Sequence, residues 1–245
     1  PQLKFLVVSA SKDRADNFST FTMRLITEMD ILAPLRPDAS QRNSKISFDV
    51  RPARADHAPS VKSVGVLGQM AGSRADEVVA DDVEVPNNSF TQPMRDKLSE
   101  AVKEFDAILK PKGLITFLGT PQTEQSLYGT LEERGYNTCI WPARYPSLRN
   151  NYGDRLAPKL HQRLLDELVS PKDPVDPDRF NSIDLMEREA SYGRSGFSLQ
   201  FMLDTSLSDQ DRYPLKLSDL IISSVNPEHA PEKVIWSNSP EYTLP

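Results

Sequence analysis

Two adjacent carboxylates end a short apolar run in Val78-Val79-Ala80-Asp81-Asp82-Val83-Glu84. A buried parallel strand delivers its carboxyl end to a crevice, which is where open α/β sheets bind ligands. Strand alternation sends Asp81 and Asp82 to opposite sides, so one can hold a magnesium ion while the other orients a water. Glu84, two residues beyond Asp82, is a substitute for the second role. A solvated turn in which Asp81 or Asp82 caps the next segment explains the same residues, because acids are common at turns.

Three further segments carry groups suited to phosphate chemistry. Leu114-Ile115-Thr116-Phe117-Leu118 runs into Gly119-Thr120-Pro121-Gln122, small, hydroxyl and amide residues that can sense a terminal phosphate and pass on its loss as a shift of the chain. The competing reading is a strand-to-helix turn capped by Thr120 or Thr123. Arg74, in Gly72-Ser73-Arg74-Ala75-Asp76, can reach a phosphate of its own nucleotide or of a neighbouring subunit's; otherwise it pairs with Asp76 or a carbonyl. Ser11 and Lys12 open a helix after a strand, where backbone N–H groups and the lysine can hold a DNA phosphate or the serine simply caps. Residues 140–163 hold Arg144, Arg149, Arg155, Lys159 and Arg163 against the single acid Asp154, with Tyr145 and Tyr152 interleaved. That pattern suits a DNA backbone contact and equally a solvated basic helix face.

The elements that must position these groups alternate. Residues 3–8, 46–50, 61–67, 77–81, 114–118 and 138–141 read as strands. A helix opening at Ser11 carries Phe18, Phe21, Leu25, Ile26 and Met29 at spacings that share a face. A second helix, about 93–110, shows a full apolar stripe from Met94 to Leu109, with Thr91 as cap and Pro93 in the first turn. A third is expected between Pro121 and Gly135. Strands alternating with such helices imply a parallel sheet with helices on its faces, an α/β domain over about 1–148. Beyond it, helical patterns at about 157–169 and 182–203 and proline-marked loops give a small, mainly helical subdomain (149–220), and 221–245 reads as a connector.

Composition narrows the classes. The apolar set makes up 38% and charged residues 26% of 245 residues, as in ordinary globular proteins. No apolar run approaches the roughly 18 residues that span a bilayer, so no membrane partner is expected. One cysteine, Cys139, rules out a disulfide scaffold or a multi-cysteine metal site; set in an apolar run, it reads as a small core residue. His57, His161 and His229 show no metal-ligand spacing. A net charge of -6 argues against a uniformly basic nucleic-acid coat but not a local basic groove. There is no G-x-S-x-G elbow and no H-E-x-x-H pattern, so hydrolase-triad and zinc chemistry have no foothold. No glycine is followed by lysine, so the G-x-x-x-x-G-K-[ST] phosphate cradle is absent. Beginning at Pro1 and running straight into a strand pattern, the sequence reads as an internal piece of a longer protein.

Six blocks in order carry a family resemblance. They are Val7-Val8-Ser9-Ala10-Ser11-Lys12-Asp13-Arg14-Ala15, Gly72-Ser73-Arg74-Ala75-Asp76, Val79-Ala80-Asp81-Asp82-Val83-Glu84, Leu118-Gly119-Thr120-Pro121-Gln122-Thr123-Glu124, Ile140-Trp141-Pro142-Ala143-Arg144-Tyr145-Pro146 and Gly196-Phe197-Ser198-Leu199-Gln200-Phe201-Met202-Leu203. Together, over residues 1 to about 231, they resemble the large terminase subunit of short-tailed, podovirus-type bacteriophages. The resemblance implies the ATPase part of a viral DNA-packaging motor, with a RecA-like P-loop NTPase fold of the additional-strand type and a lid or linker subdomain. It implies Asp81 as the magnesium-associated Walker B acid, Asp82 as the catalytic carboxylate, with Glu84 sharing that role if the Asp does not suffice, and Arg74 as an arginine acting in a ring. Gly119, Thr120, Pro121 and Gln122 would couple hydrolysis to DNA movement. Mg2+ and ATP are the implied cofactor and substrate. Double-stranded DNA, a portal protein, a small terminase subunit and further copies in a ring on the procapsid are the implied partners, in the host cell cytoplasm.

The sequence departs from that family in lacking the phosphate loop and any stretch matching its nuclease domain. The 245 residues alone are therefore expected not to hydrolyse ATP. Two other readings fit: a metal-dependent nuclease using Asp81, Asp82 and Glu84, or a non-enzymatic module docking on DNA or a portal through Arg144 and Arg149.

Overall fold

The computed structural model describes residues 2–123, 125–147 and 152–205. The chain divides into two compact units, Pro1–Arg212 and Tyr213–Pro245, and the second lies wholly outside the described residues. So do Arg149 and the connector expected over 221–245.

The sheet has five strands in the order β2-β3-β1-β4-β5. They are β1 (Phe5–Ser9), β2 (Ser47–Phe48), β3 (Val61–Gly65), β4 (Ala75–Asp81) and β5 (Leu109–Leu118). β1 pairs in parallel with β3 and β4, β4 in parallel with β5, and only the two-residue β2 runs antiparallel. The expected α/β class is therefore borne out. Central β1 is buried along Leu6, Val7, Val8 and Ser9, which explains its continuous apolar sequence.

α1 (Lys12–Glu28) follows β1 and packs against β1 and β3. α3 (Gln92–Ile108), after the single-turn α2 (Pro86–Ser89), joins β4 to β5. Leu98, Val102, Phe105 and Ile108 of α3 enter one core with Leu6, Val8, Val78 and Ala80, and with Ile115 and Phe117 at its margin. The chain thus winds outward in one direction from β1 to β3 and in the other from β4 to β5. The connections leaving the carboxyl ends of neighbouring β1 and β4 diverge, and that divergence opens a crevice at a topological switch point.

Several expected elements differ. The buried face of α1 is Ala15, Ser19 and Ile26, whereas Phe21 and Met29 are exposed. Small residues are needed because the helix start lies against β3: a Cβ on Gly65 would come 2.9 Å from the Lys12 nitrogen. Thr91 occupies the cap position of α3 but makes no side-chain cap bond. The helix expected before Gly135 shrinks to α4 (Leu127–Leu131). Residues 138–141 form no strand, only an isolated Ile140–Leu156 bridge, and Cys139 is an exposed free thiol rather than a core residue.

After Tyr145 the structure is helical, with α5 (Pro158–Leu165) and α6 (Ser182–Gln200), the latter broken at Gly193. Tyr145, Tyr152, Leu156, Ala157 and Leu160 make a second small core. The two tyrosines interleaved with basic residues are therefore packing groups, 1% and 2% exposed, and not faces presented to a nucleic acid. No helix among the described residues is long and apolar enough to cross a membrane.

Candidate functional site

The crevice between β1 and β4 is where the twin aspartates lie. Asp81 ends β4 in register with Ser9 of β1 and Leu118 of β5. Asp82 leaves the strand with φ 46°, a left-handed conformation that aspartate tolerates better than most residues. Its N–H donates to the Leu118 carbonyl at 2.8 Å, and its carbonyl accepts from the Ala10 N–H at 3.3 Å. The strands on either side therefore pin the acid turn, leaving the Asp82 side chain exposed and Asp81 half-buried.

Burial raises the Asp81 carboxyl above the ordinary range, the neighbouring Asp82 charge raises it further, and Arg14 in the first turn of α1 opposes both. A pair of acids in mutual repulsion beside a crevice suits a divalent cation, which would relieve that repulsion. The buried Ser9 hydroxyl, in register with Asp81, has no hydrogen-bond partner among the described residues. Sequence reasoning gave neither Ser9 nor Arg14 a role of its own, although both fall in a block that it singled out.

Glu84 points the other way. It is 1% exposed, and its carboxylate accepts from the Gln122 N–H at 2.9 Å, the Ser126 hydroxyl at 3.0 Å and the Leu127 N–H at 2.6 Å. Burial raises this carboxyl, with those bonds and the Arg95 charge opposing. Both oxygens are thus engaged in holding the segment after β5 and the start of α4 to the acid turn.

That segment is the expected coupling stretch. Gly119, Thr120, Pro121 and Gln122 leave the carboxyl end of β5 on the same rim as Asp81 and Asp82, and the Gln122 side-chain amide donates to the Thr120 carbonyl at 3.0 Å. A Cβ at Gly119 would lie 1.9 Å from the Tyr128 hydroxyl, so any larger residue there requires that ring to move. That hydroxyl is buried beside Glu84 without a hydrogen bond of normal geometry. Burial, with the charges of Glu84, Asp82 and Asp81, drives its ionisation far up, so it stays a neutral donor. Nothing in the sequence marks Tyr128, because its closeness to Gly119 arises only from the fold.

The remaining predicted residues lie elsewhere. Arg74 precedes β4, and the seven residues of that strand put it about 20 Å from Asp81 along the sheet, at the opposite rim. It cannot reach the acid turn of its own chain. Ser11 caps α1, accepting from the Arg14 N–H at 3.3 Å, and Lys12 pairs with Asp16. Arg144 pairs with Glu189 at 2.5 Å and stacks 4.8 Å over the Phe197 ring, which fastens residues 142–145 to α6.

A cleft of about 560 Å³ is lined by residues 115–119 at the end of β5, by α4, by residues 136–141 and by residues 203–205. Among the described residues β5 has no strand partner on its outer edge. Leu114 and Leu118 stand on its uncovered face, 65% and 49% exposed.

The fold and site thus define an α/β domain with an acidic turn at its switch point and a β5 edge that is unpaired among the described residues. Compared with known proteins, the chain is 52% identical over 244 residues to the terminase large subunit of Enterobacteria phage T3. That match covers 96% of this chain and 42% of the phage T3 protein, so the chain spans about two fifths of its relative's length. Over that stretch the chain is similar, along nearly its whole length, to a terminase large subunit. No family model matches the chain.

Proposed function

We propose that this chain is the RecA-like ATPase portion of a viral DNA-packaging terminase, coupling Mg-ATP hydrolysis to the movement of double-stranded DNA into a procapsid. The observation that carries this reading is the single rim shared by Asp81, Asp82 and the 119–122 segment, joined by the Asp82 N–H to Leu118 carbonyl bond of 2.8 Å. A residue that orients water and one that senses a phosphate must meet at the same terminal phosphoryl group, and this geometry lets them.

In this reading Asp81 would hold Mg2+, which neutralises phosphate charge when bound. Asp82, exposed on its pinned turn, orients the attacking water and takes up its proton. Loss of the terminal phosphate relaxes residues 119–122, and Glu84 carries that change to α4 because it grips both. Arg74, too far from its own acid turn, acts on the nucleotide of an adjacent copy in a ring. The phosphate cradle comes from a strand supplied by another segment of the whole protein. The β5 edge, unpaired among the described residues, supports this, since an open strand edge accommodates one more parallel strand. DNA, a portal, a small terminase subunit and the host cytoplasm remain the partners and setting this function entails.

A nuclease using Asp81, Asp82 and Glu84 has less support. Glu84 is committed inward, and no group of three or more metal-ligating side chains converges among the described residues, whereas two-metal sites need several carboxylates together. The whole protein is expected to release phosphate from ATP with magnesium, and residues 1–245 alone to release none. Phosphate release by the 245-residue chain, or its absence in the whole protein, overturns the reading.

A further inference from the structure

At the rim opposite the acid turn, a small pocket of about 110 Å³ is lined by Lys4, His57, Lys62, Ser73 and Arg74. We propose that this pocket is a binding site for a phosphate-class oxyanion, separate from the nucleotide site at the acid turn of the same chain. Its floor is Lys4, whose side chain is 3% exposed and whose ammonium makes no hydrogen bond. The Asp56 carboxylate, 46% exposed, forms an ion pair with that ammonium at 3.4 Å. Asp76, the other nearby acid, is already occupied by the Lys4 N–H at 2.7 Å and by Lys110 at 2.8 Å.

The other cations add to the imbalance. Lys62 is held at the pocket by the Ser73 hydroxyl at 2.9 Å. The guanidinium of Arg74 spends one donor on the Ser73 carbonyl at 2.9 Å and forms no ion pair among the described residues. Lys4, Lys62 and Arg74 therefore share the Asp56 carboxylate and an Asp76 carboxylate already paired with Lys110. A buried ammonium whose one ion-pair partner is half-exposed to solvent is incompletely compensated, and neighbouring like charges increase that cost. A chain that needed only packing would place an apolar side chain at the start of β1. An oxyanion entering the pocket accepts from Lys4, Lys62 and Arg74 together, and charge-assisted bonds of this kind are the strong ones. The cavity has room for a phosphoryl group but not for a base and sugar as well, so the group recognised is the phosphate itself. It comes either from a DNA backbone or from free or nucleotide phosphate.

The test uses the whole protein in magnesium-free buffer, with inorganic phosphate as probe and the phosphate-dependent rise in Tm as readout. Lys62→Met and Arg74→Gln, both near the surface, are each expected to weaken phosphate binding roughly tenfold. Lys103→Met, on the outer face of α3, should leave it unchanged. Lys4→Met should abolish the phosphate-dependent increment even where it raises the starting Tm. In a second arm, duplex DNA that displaces phosphate, with a salt dependence in Lys62→Met shallower by about one phosphate contact, identifies DNA as the source. Displacement by nucleotide and not by DNA identifies the free anion. Wild-type phosphate binding retained in Lys62→Met, Arg74→Gln and Lys4→Met overturns the proposal, as does a Lys103→Met loss equal to theirs.

Discussion

Asp82→Asn in the whole protein is expected to lower ATP turnover by about 10²–10⁴-fold, the range of a positioned acid–base group, while KM for Mg-ATP changes little. The substitution isolates chemistry from structure. The turn is held by the backbone of residue 82, through its N–H to the Leu118 carbonyl and its carbonyl to the Ala10 N–H. Asparagine adopts the left-handed φ of 46° as readily as aspartate does. What disappears is the carboxylate proposed above to take a proton from water. Steady-state phosphate release checks this, with nucleotide binding measured separately. Turnover within a few-fold of wild type would remove Asp82 from the chemistry. Glu84 is poorly placed to replace it, with both oxygens committed to Gln122, Ser126 and Leu127.

Glu84→Ala is expected to cost about 3 kcal/mol or more of folding stability, because it orphans two buried donors and one part-buried donor at once. One of them, the Ser126 hydroxyl, also caps α4, accepting from the Tyr128 N–H at 3.3 Å, so the start of that helix loosens too. A fall in denaturant midpoint checks the cost. Glu84→Gln keeps one acceptor oxygen but turns an amide donor toward donors, and its loss should be smaller than that of alanine.

The pH dependence follows from the raised carboxyl of Glu84. The folded state holds this proton more tightly than the unfolded chain, so the group's stabilisation is complete below its unfolded value, near 4.5. It is lost as pH rises through the higher folded value. Wild-type stability therefore carries a downward slope above the ordinary carboxylate range that Glu84→Gln lacks. Asp81, raised in the same direction, contributes equally to both proteins, and the difference between them reports Glu84 alone. Identical slopes would mean that Glu84 does not titrate as its burial dictates.

Much of this fold is written locally. β1, β4 and α3 are legible because a buried strand needs a continuous apolar run and a half-buried helix needs a stripe, and both patterns survive without tertiary information. The acid turn is legible for the same reason, since a charged pair ending such a run has few structural explanations. What the sequence conceals depends on contacts between distant segments. Gly65 crowds the start of α1, so that helix buries Ala15 and Ser19 where its larger apolar residues suggested another face. Tyr145 and Tyr152 read as residues interleaved in a basic stretch suited to a DNA backbone, yet they fill a small core with Leu156 and Leu160. Glu84 reads as one more acid at a strand end, and only the return of residues 122–127 to the same rim shows that it holds the loop. Arg74 sits a few residues from Asp81 in sequence, but an extended strand turns that short separation into the full height of the sheet.

The central claim is that the acid turn faces a nucleotide whose phosphate cradle sits on a strand added beside β5. A structure of the whole protein with magnesium and a non-hydrolysable ATP analogue tests this most directly. The account predicts a further strand parallel to β5 on its outer edge, with the terminal phosphate between the Asp81–Asp82 turn and Thr120. A nucleotide seated on the Arg74 rim of its own chain, or a β5 edge that stays unpaired with the analogue bound elsewhere, would contradict it.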